Sequence, residues 1–344
     1  MILDGQSPAA VAMAAQALKD GKLLGLPTET VYGLAADAEQ PEAVARIFAA
    51  KGRPSDHPLI VHVVAMADAE HFAASLPVFA RQLMQAFWPG PLTVIVPRAP
   101  GVAESAAGGN TSVGLRCPSH PVAQAVLRAC RGLGVLGLAA PSANAFGRVS
   151  PTTAAHVEAE FGKSIGLLTL DGGACDVGIE STIVDCTRGV PVLLRPGGLT
   201  RQQLESACDT RLWLPDEMND PEATAPKASG TLEAHYAPNA PVRMMDAKTL
   251  QTALDVLGAD ASGIAVWARS PLKVKSPRLL SRRMPDDAAT TAQQLFAMLR
   301  SFDAQGCKLI WIETPPTTDD WAGVRDRLQR ACAATLPAPA APSA

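Results

Sequence analysis

Aromatic side chains are scarce in this 344-residue sequence: Phe, Trp and Tyr together make up 4% of it. With 47% hydrophobic residues, a core must therefore be packed mainly from Ala, Leu and Val. Excess positive charge is also lacking. Thirty Lys and Arg stand against 33 Asp and Glu, a net charge of −3, which excludes a globally basic nucleic-acid binder and leaves any anion site to be a local patch. The seven cysteines (117, 130, 175, 186, 208, 307 and 332) form no CxxC. That excludes a zinc ribbon or a dense disulfide framework and predicts reduced, mostly buried thiols. No apolar run approaches the length of a membrane span, and Met1-Ile2-Leu3-Asp4-Gly5 lacks the basic start of a signal peptide. The expectation is a soluble cytoplasmic protein without membrane contact. A GxxxxGK[ST] loop is missing as well, so any nucleotide phosphates are not held by a Walker-type loop.

What is present reads as alternating strands and helices in a chain long enough for two domains. Ser7-Pro8 opens a helix that Gly21 closes, with Ser as N-cap and Pro at the first helical position. Further helices are expected over 41–51, 77–87, 119–131 and 152–161, and strands over 22–26, 59–64, 92–96, 112–115, 135–139, 166–170, 182–184 and 192–194. After Leu214 an acidic, Pro-bearing stretch (215–227) reads as linker. A second pattern follows: strands over 242–245, 263–268 and 308–312, helices over 248–257, 292–302 and 322–333, as in a small parallel α/β domain. The Pro/Ala-rich end from Pro337 reads as a disordered tail. The expected division is 1–210, a linker over 211–238, a second domain over 239–336 and the tail 337–344.

Two tempting motifs fail on context. Gly132-Leu133-Gly134-Val135-Leu136-Gly137 matches GxGxxG, but it leaves a helix and enters a strand, the reverse of a dinucleotide fingerprint. Gly162-Lys163-Ser164-Ile165-Gly166 matches GxSxG, but it too joins helix to strand and reads as a helix C-terminal turn.

Another set survives. Lys51-Gly52-Arg53-Pro54 ends a helix, and Pro141-Ser142-Ala143-Asn144 follows a strand. Singly, each has a plain structural reading: cations complement a helix C-terminus, and a histidine inside an apolar strand is usually a core residue. Thr30, His62, Arg116, Ser142, Ser181 and Arg195, however, all fall at or near expected strand ends, where α/β sheets build their ligand crevices. Four cations and several hydroxyls around one crevice suit a substrate with many anionic oxygens.

These residues lie in motifs that resemble the threonylcarbamoyl-AMP synthases, the YrdC-like family, in their long two-domain form. The motifs are PTETVYGL at 27–34, KGRP at 51–54, LIVHV at 59–63, WPGPLTVIV at 88–96, VGLRCP at 113–118, PSAN at 141–144, SPT at 150–152, ESTIVD at 180–185, LRPG at 194–197 and HYAP at 235–238. Their order and spacing cover about residues 1–238. The resemblance implies an α/β fold: a twisted mixed-sheet domain with a concave cleft, and a smaller Rossmann-like C-terminal domain. It implies that L-threonine, bicarbonate or CO2, and ATP are condensed to L-threonylcarbamoyladenylate and pyrophosphate, for N6-threonylcarbamoylation of adenosine in tRNA. It puts a catalytic tetrad on Lys51, Arg53, Ser142 and Asn144, and threonine contacts on Thr30, His62, Arg116, Ser142 and Ser181. ATP contacts fall on Arg53, His57, Ser112, Ala140, Ser150 and Arg195. His235 and Tyr236 join them from the linker, whose preceding turn reads Ser229-Gly230-Thr231-Leu232 instead of the SPGM-like form. Mg2+ is expected with the nucleotide, and no protein-held metal. The expected partners are a downstream tRNA threonylcarbamoyl transferase and weak or indirect tRNA contact, with the chain a monomer. Two other readings stay open: a module binding double-stranded RNA or tRNA without chemistry, and an enzyme making carbamoyl-AMP from carbamoyl phosphate.

Overall fold

The computed structural model describes residues 1–218, 226, 228 and 230–334. Much of the expected acidic linker, Ser229 and the tail from Pro337 lie outside the described residues. The chain forms two compact units. The first holds Met1–Phe146 and Ser150–Thr231. The second holds Gly147–Val149 and the chain from Leu232 onward.

In the first unit the strands are β1 (Ile2–Asp4), β2 (Leu24–Leu26), β3 (Gly33–Asp37), β4 (Ile60–His62), β5 (Leu92–Pro97), β6 (Ser112–Arg116), β7 (Leu138–Ala139), β8 (Leu168–Asp171), β9 (Thr182–Asp185) and β10 (Val192–Arg195). They form one mixed sheet in the order β1-β8-β2-β3-β7-β4-β6-β5-β9-β10. The helices are α1 (Pro8–Lys19), α2 (Pro41–Lys51), α3 (Met66–Phe72), α4 (Val78–Phe87), α5 (Pro121–Gly132), α6 (Ala154–Val157), α7 (Lys163–Ile165) and α8 (Arg201–Cys208). Ser7 caps α1 through the Ala10 amide, and Pro8 opens it.

Two apolar layers sandwich the sheet. On one side, Ala10, Ala14 and Leu18 of α1 pack with Val122 and Val126 of α5 over Leu24, Leu26, Ala35, Leu138 and Leu170. On the other, Ile47 of α2, Leu83 of α4 and Leu204 of α8 join Val61, Val94, Val96, Val113, Leu115 and Val184. Side chains alternate along a strand. The apolar set Val113 and Leu115 therefore forces Ser112, Gly114 and Arg116 onto the opposite face. Register carries this across neighbours, pairing Ile60 with Gly114 and His62 with Arg116, and Thr93 with Arg116. Part of that face thus presents a hydroxyl, a bare glycine, a guanidinium and an imidazole in place of a greasy layer.

Expected and observed elements differ where local signals are weak. The expected helix over 152–161 is α6, which widens into a π-turn at Glu158–Gly162. Strand 135–139 shortens to β7. Strands β1 and β3 and helices α3 and α8 went unpredicted. The sequence of β3, Gly-Leu-Ala-Ala-Asp, has no β-branched or aromatic residue and is a strand because β2 and β7 flank it. Both failed motifs sit as their context required: Gly132 ends α5 ahead of β7, and Gly166 is the left-handed cap after α7, with φ +60°.

The second unit holds β11 (Val242–Met245), α9 (Ala247–Leu257), β12 (Ile264–Ala268), β13 (Leu280–Arg283), α10 (Ala288–Ala304), β14 (Leu309–Glu313) and α11 (Ala322–Ala333). Its four strands are all parallel, in the order β11-β14-β12-β13. Asp246 and Asp287 cap α9 and α10 through the amides of Thr249 and Thr290. Strand β13 was missed because its Leu-Ser-Arg-Arg sequence is polar, as an exposed edge strand allows. No helix of the described residues is long and apolar enough to cross a membrane.

Candidate active site

Lys51 is the last residue of α2, and Gly52 closes the helix in the left-handed conformation (φ 60°) that glycine adopts without strain. The ammonium does not serve its own helix end. It donates to the carbonyls of Ser142, at 2.6 Å, and Asn144. Phe146 N returns a bond to Lys51 O at 2.8 Å. The KGRP and PSAN segments are thus one object, held by the lysine between them. The Lys51 side chain is buried, and burial, helped by the neighbouring Arg53 charge, pulls its pKa down to about 7. Glu160 and Glu180 oppose that shift by attraction. Near neutral pH the amine therefore exchanges its charge readily.

Arg53, also buried, donates to Pro58 O at 2.9 Å, and its guanidinium lies 5.8 Å from the Phe146 ring centroid. His57 meets the same ring edge-on at 5.5 Å. Asn144 Nδ2 donates to Ala145 O. Ser150 Oγ donates to Glu180, and Glu180 in turn attracts Lys51.

A second group lies along the polar stretch of the sheet. Arg116 ends β6 and is buried, against the general habit of lone arginines. Its Nη2 sits 2.7 Å from Glu29 Oε1, with both side chains about 5–6% exposed. Neither Glu29 oxygen accepts a hydrogen bond, and Arg116 Nε donates none. The pair is matched in charge but has unused hydrogen-bonding capacity, which buried polar groups seldom leave unfilled. His62 stands beside Arg116 on β4. Burial, reinforced by the Arg116 charge, holds its pKa at about 3, so the imidazole is neutral. Its Nδ1 is 3.2 Å from Ile60 O, so this nitrogen carries a proton. Ser181 shares a 2.7 Å hydrogen bond with Thr93. Arg195, at the end of β10, donates to Ser181 O from Nε (3.0 Å) and Nη2 (2.9 Å), and to Ser181 Oγ at 3.2 Å. Gly197 permits this closeness, because a Cβ there would lie 2.5 Å from Thr182 N and 2.9 Å from Glu180 O. Thr30 is fully buried, with its hydroxyl 3.0 Å from that of Thr28. Tyr32 packs into the core and donates to Gly173 O at 2.7 Å, and burial raises its pKa.

Backbone pairing links the two groups. Ser142 pairs with Gly33, Ala140 N donates to Ile60 O, and Glu180 and Ser181 are consecutive. Ser112 and Arg116 lie at opposite ends of β6, about 13 Å apart at ~3.3 Å per residue. Ser112 and Ala140 therefore mark the Arg53 end of this polar stretch, while His62 and Arg116 mark the other. His235 and Tyr236 belong to the second unit. There the Tyr236 ring is buried, 5.3 Å from the Phe296 ring and 5.4 Å from the Arg327 guanidinium.

Glu29, Thr93, Phe146 and Glu180 were not singled out from the sequence. The signal for two of them was in plain view, since Glu29 is the middle of PTET and Glu180 opens ESTIVD. Thiol chemistry does not fit this face: burial pushes Cys117 up to about 11 and also raises Cys175, so neither is a ready thiolate. Among the described residues, no group of three His, Cys, Asp or Glu is arranged to hold a metal ion.

Comparison with known proteins gives this geometry its context. A family profile described as telomere recombination matches residues 16–197, and one described as the threonylcarbamoyl-AMP synthase C-terminal domain matches residues 199–333. A threonylcarbamoyl-AMP synthase of Bacillus subtilis is 35% identical over 327 residues, spanning 93% of this chain and 92% of its own. The synthase of Pyrococcus abyssi is likewise 35% identical, over 93% of both chains. A crystal structure of P. abyssi Sua5 complexed with L-threonine superposes with a TM-score of 0.85 at 33% identity, covering 97% of this chain and 98% of that one. Both units, and nearly the whole length of each relative, are accounted for together, and the chain belongs to the threonylcarbamoyl-AMP synthase family.

Proposed function

We propose that this chain condenses L-threonine, CO2 (or bicarbonate) and ATP to L-threonylcarbamoyladenylate and pyrophosphate, with the two groups as its two half-sites. The observation that carries this is the presence of a buried Arg116, with hydrogen-bonding capacity to spare, and a separate cradle in which Lys51 holds the Ser142 and Asn144 carbonyls with Arg53 beside it. An α-amino acid needs the first, and a triphosphate needs the second.

At the threonine end, the Arg116 fork receives the substrate carboxylate, a planar match that a lysine point charge cannot give. The neutral imidazole of His62 and the hydroxyls of Thr30 and Ser181 face the substrate hydroxyl and amine. The free amine attacks CO2 and loses a proton, giving a carbamate. A carbamate oxygen then attacks the α-phosphorus of ATP in line with the departing pyrophosphate. Little covalent help is required, so position and charge carry the rate. Lys51, Arg53 and Arg195 offset the charge that builds on phosphate and carbamate oxygens. Ser142 and Asn144 fix those oxygens through neutral hydrogen bonds. His57, Ser112, Ala140 and Ser150 border the nucleotide, and His235 and Tyr236 are assigned to the nucleotide side from the linker. The carboxylates at the site, Glu29 and Glu180, are engaged by Arg116 and Ser150. Mg2+ would therefore travel on the ATP phosphates, its usual mode, and supply charge neutralisation there. The adenylate is an activated acyl donor, so a transferase that carries it to tRNA adenosine must follow, with any tRNA contact by this chain weak or indirect. We place the chain in the cytoplasm as a monomer.

The test is pyrophosphate release from ATP, with and without L-threonine and bicarbonate, with the product read by mass spectrometry. Release that requires both, together with a threonylcarbamoyl-adenylate mass, is expected. Release driven by carbamoyl phosphate without threonine would overturn the substrate assignment. No release under either condition, with salt-sensitive RNA binding instead, would replace the enzyme by a binding module.

A further inference from the structure

The second unit includes three residues from far upstream, Gly147–Val149. They lie in the sequence between Asn144 and Ser150, two residues placed above at the phosphate end of the site. In the second unit this tripeptide runs beside the linker as a short parallel bridge, Arg148 against Ala237. Ala237 N donates to Gly147 O at 2.9 Å. The Arg148 guanidinium donates to Pro238 O at 3.4 Å and to Asn239 Oδ1. Arg300, on α10, donates to Val149 O.

Helix α10 holds both segments. Phe296, Arg300 and Asp303 recur at the spacing of one helix face. Phe296 packs on the ring of Tyr236. Arg300 takes the Val149 carbonyl. Asp303 accepts from Asn239 N at 2.7 Å and Ala240 N at 3.1 Å. Tyr236 sits at φ +60°, a left-handed conformation that costs a non-glycine residue of order 1 kcal/mol and persists only when its surroundings impose it. In the first unit the ends of the same loop are tied as well, by Phe146 N to Lys51 O on one side and by Ser150 Oγ to Glu180 on the other. The segment from Asn144 to Ser150 is therefore fixed by hydrogen bonds at both ends and in its middle, and the middle ones belong to α10 and the linker.

We infer that Arg300 is a positioning residue for the nucleotide half of the reaction: by holding Val149 O it sets the loop on which Asn144 and Ser150 are carried. The inference rests on the function proposed above. It gives the C-terminal unit a specific task, one that acts on ATP and leaves threonine alone. Of the threonine groups, Thr30, His62 and Arg116 lie on other segments, while Ser142 keeps its ties to Lys51 and Gly33 and Ser181 its tie to Thr93, so a loosened loop leaves the threonine contacts in place.

The test uses the full chain carrying Arg300→Ala, Arg300→Lys or Asn239→Ala. Affinities for ATP and for L-threonine are measured separately by calorimetry, alongside Tm and pyrophosphate release. Arg300→Ala should weaken ATP binding about tenfold, the worth of one charged hydrogen bond, with threonine affinity within about twofold. Arg300→Lys, which keeps a charged donor, should recover most of the loss, and Asn239→Ala should show the same selectivity more weakly. Equal losses for both ligands, or unchanged ATP affinity, would overturn the inference and leave Arg300 a packing residue. Because ATP affinity is read without turnover, a wild-type chain that binds ATP but releases no pyrophosphate would sink the function proposed above while this inference is still decided by the variants. Should Arg300→Ala fail to fold, the lysine and Asn239 variants decide it.

Discussion

Each unit pairs an arginine with a buried glutamate near the end of a strand, and the two carboxylates are satisfied differently. In the second unit, Glu313 at the end of β14 accepts from Arg269 at 3.2 Å, from Ser270 N at 2.6 Å and from Ser270 Oγ at 3.0 Å. In the first unit, Glu29 faces Arg116 at 2.7 Å and accepts no hydrogen bond at all. Both carboxylates carry the desolvation cost of buried charge, and Arg116 shares it while Arg269 stays partly exposed. In the second unit both Glu313 oxygens are satisfied by their own chain, and only Arg269 Nε goes without a partner. In the first unit both Glu29 oxygens and the Arg116 Nε and Nη2 are kept in reserve. A strand end in an α/β sheet is thus a place where a site can be built, and the completeness of its hydrogen bonding tells whether one was. The contrast supports the proposed site in the first unit and a structural role for the C-terminal strand ends.

The largest effect should come from the cradle. Lys51→Ala removes a cation placed for the transition state, with an expected loss in kcat on the order of 10²–10³, the scale of losing one preorganised donor. Near-wild-type turnover in a folded variant would remove Lys51 from the mechanism. Arg116→Lys should come next. It retains charge but loses the fork, and L-threonine affinity should fall on the order of 10²-fold, about 2–3 kcal/mol, while ATP affinity holds. A parallel loss of both would mean that the variant disturbs the sheet and that the two half-sites are not separable.

How much of this could be seen beforehand follows from where each signal lies. Period-two alternation in Ser-Val-Gly-Leu-Arg at 112–116 and the capped helix at Ser7-Pro8 are local, and both were legible. The candidate site's residues were legible as candidates too, because Lys51, Arg116, Ser142 and Ser181 each sit in a short motif at the edge of a regular element. The Glu29–Arg116 pair was not. It depends on β2, β3, β7, β4 and β6 being neighbours, which no local window contains. Capture of Gly147–Val149 by the second unit was invisible for the same reason, since its partners are 90 or more residues away in sequence. The strands that were missed failed for lack of propensity: β3 is made of small residues and β13 of polar ones, and their sheet neighbours supply what composition does not.

Lys51 also allows the comparison to be sharpened through pH. Its pKa falls from 10.5 in the open chain to about 7 in the fold. Between those values the unfolded chain binds more protons than the folded one, so wild-type stability rises with pH across the window from about 7 to 10.5. Below pH 7 the whole cost of burying the charge is present. Lys51→Met removes the charge and keeps the packing volume, so it should melt higher than wild type. The gain should be on the order of 2–3 kcal/mol at pH 6 and should shrink toward pH 10. A gain that does not vary with pH would mean that the buried amine is not what the substitution relieved.

The smallest effect completes the contrast. Glu313→Gln replaces a carboxylate whose oxygens face Ser270 N, Ser270 Oγ and Arg269. The amide keeps one acceptor oxygen and turns an NH2 toward a donor, leaving one of those groups unsatisfied. The expected cost is about 1–2 kcal/mol of stability, seen as a lower Tm with L-threonine affinity unchanged. That outcome would confirm a carboxylate saturated for structural reasons. If Glu313→Gln weakened threonine or ATP binding while leaving Tm alone, the two arginine–glutamate pairs would no longer be different in kind, and the C-terminal strand ends would have to be counted as part of the site.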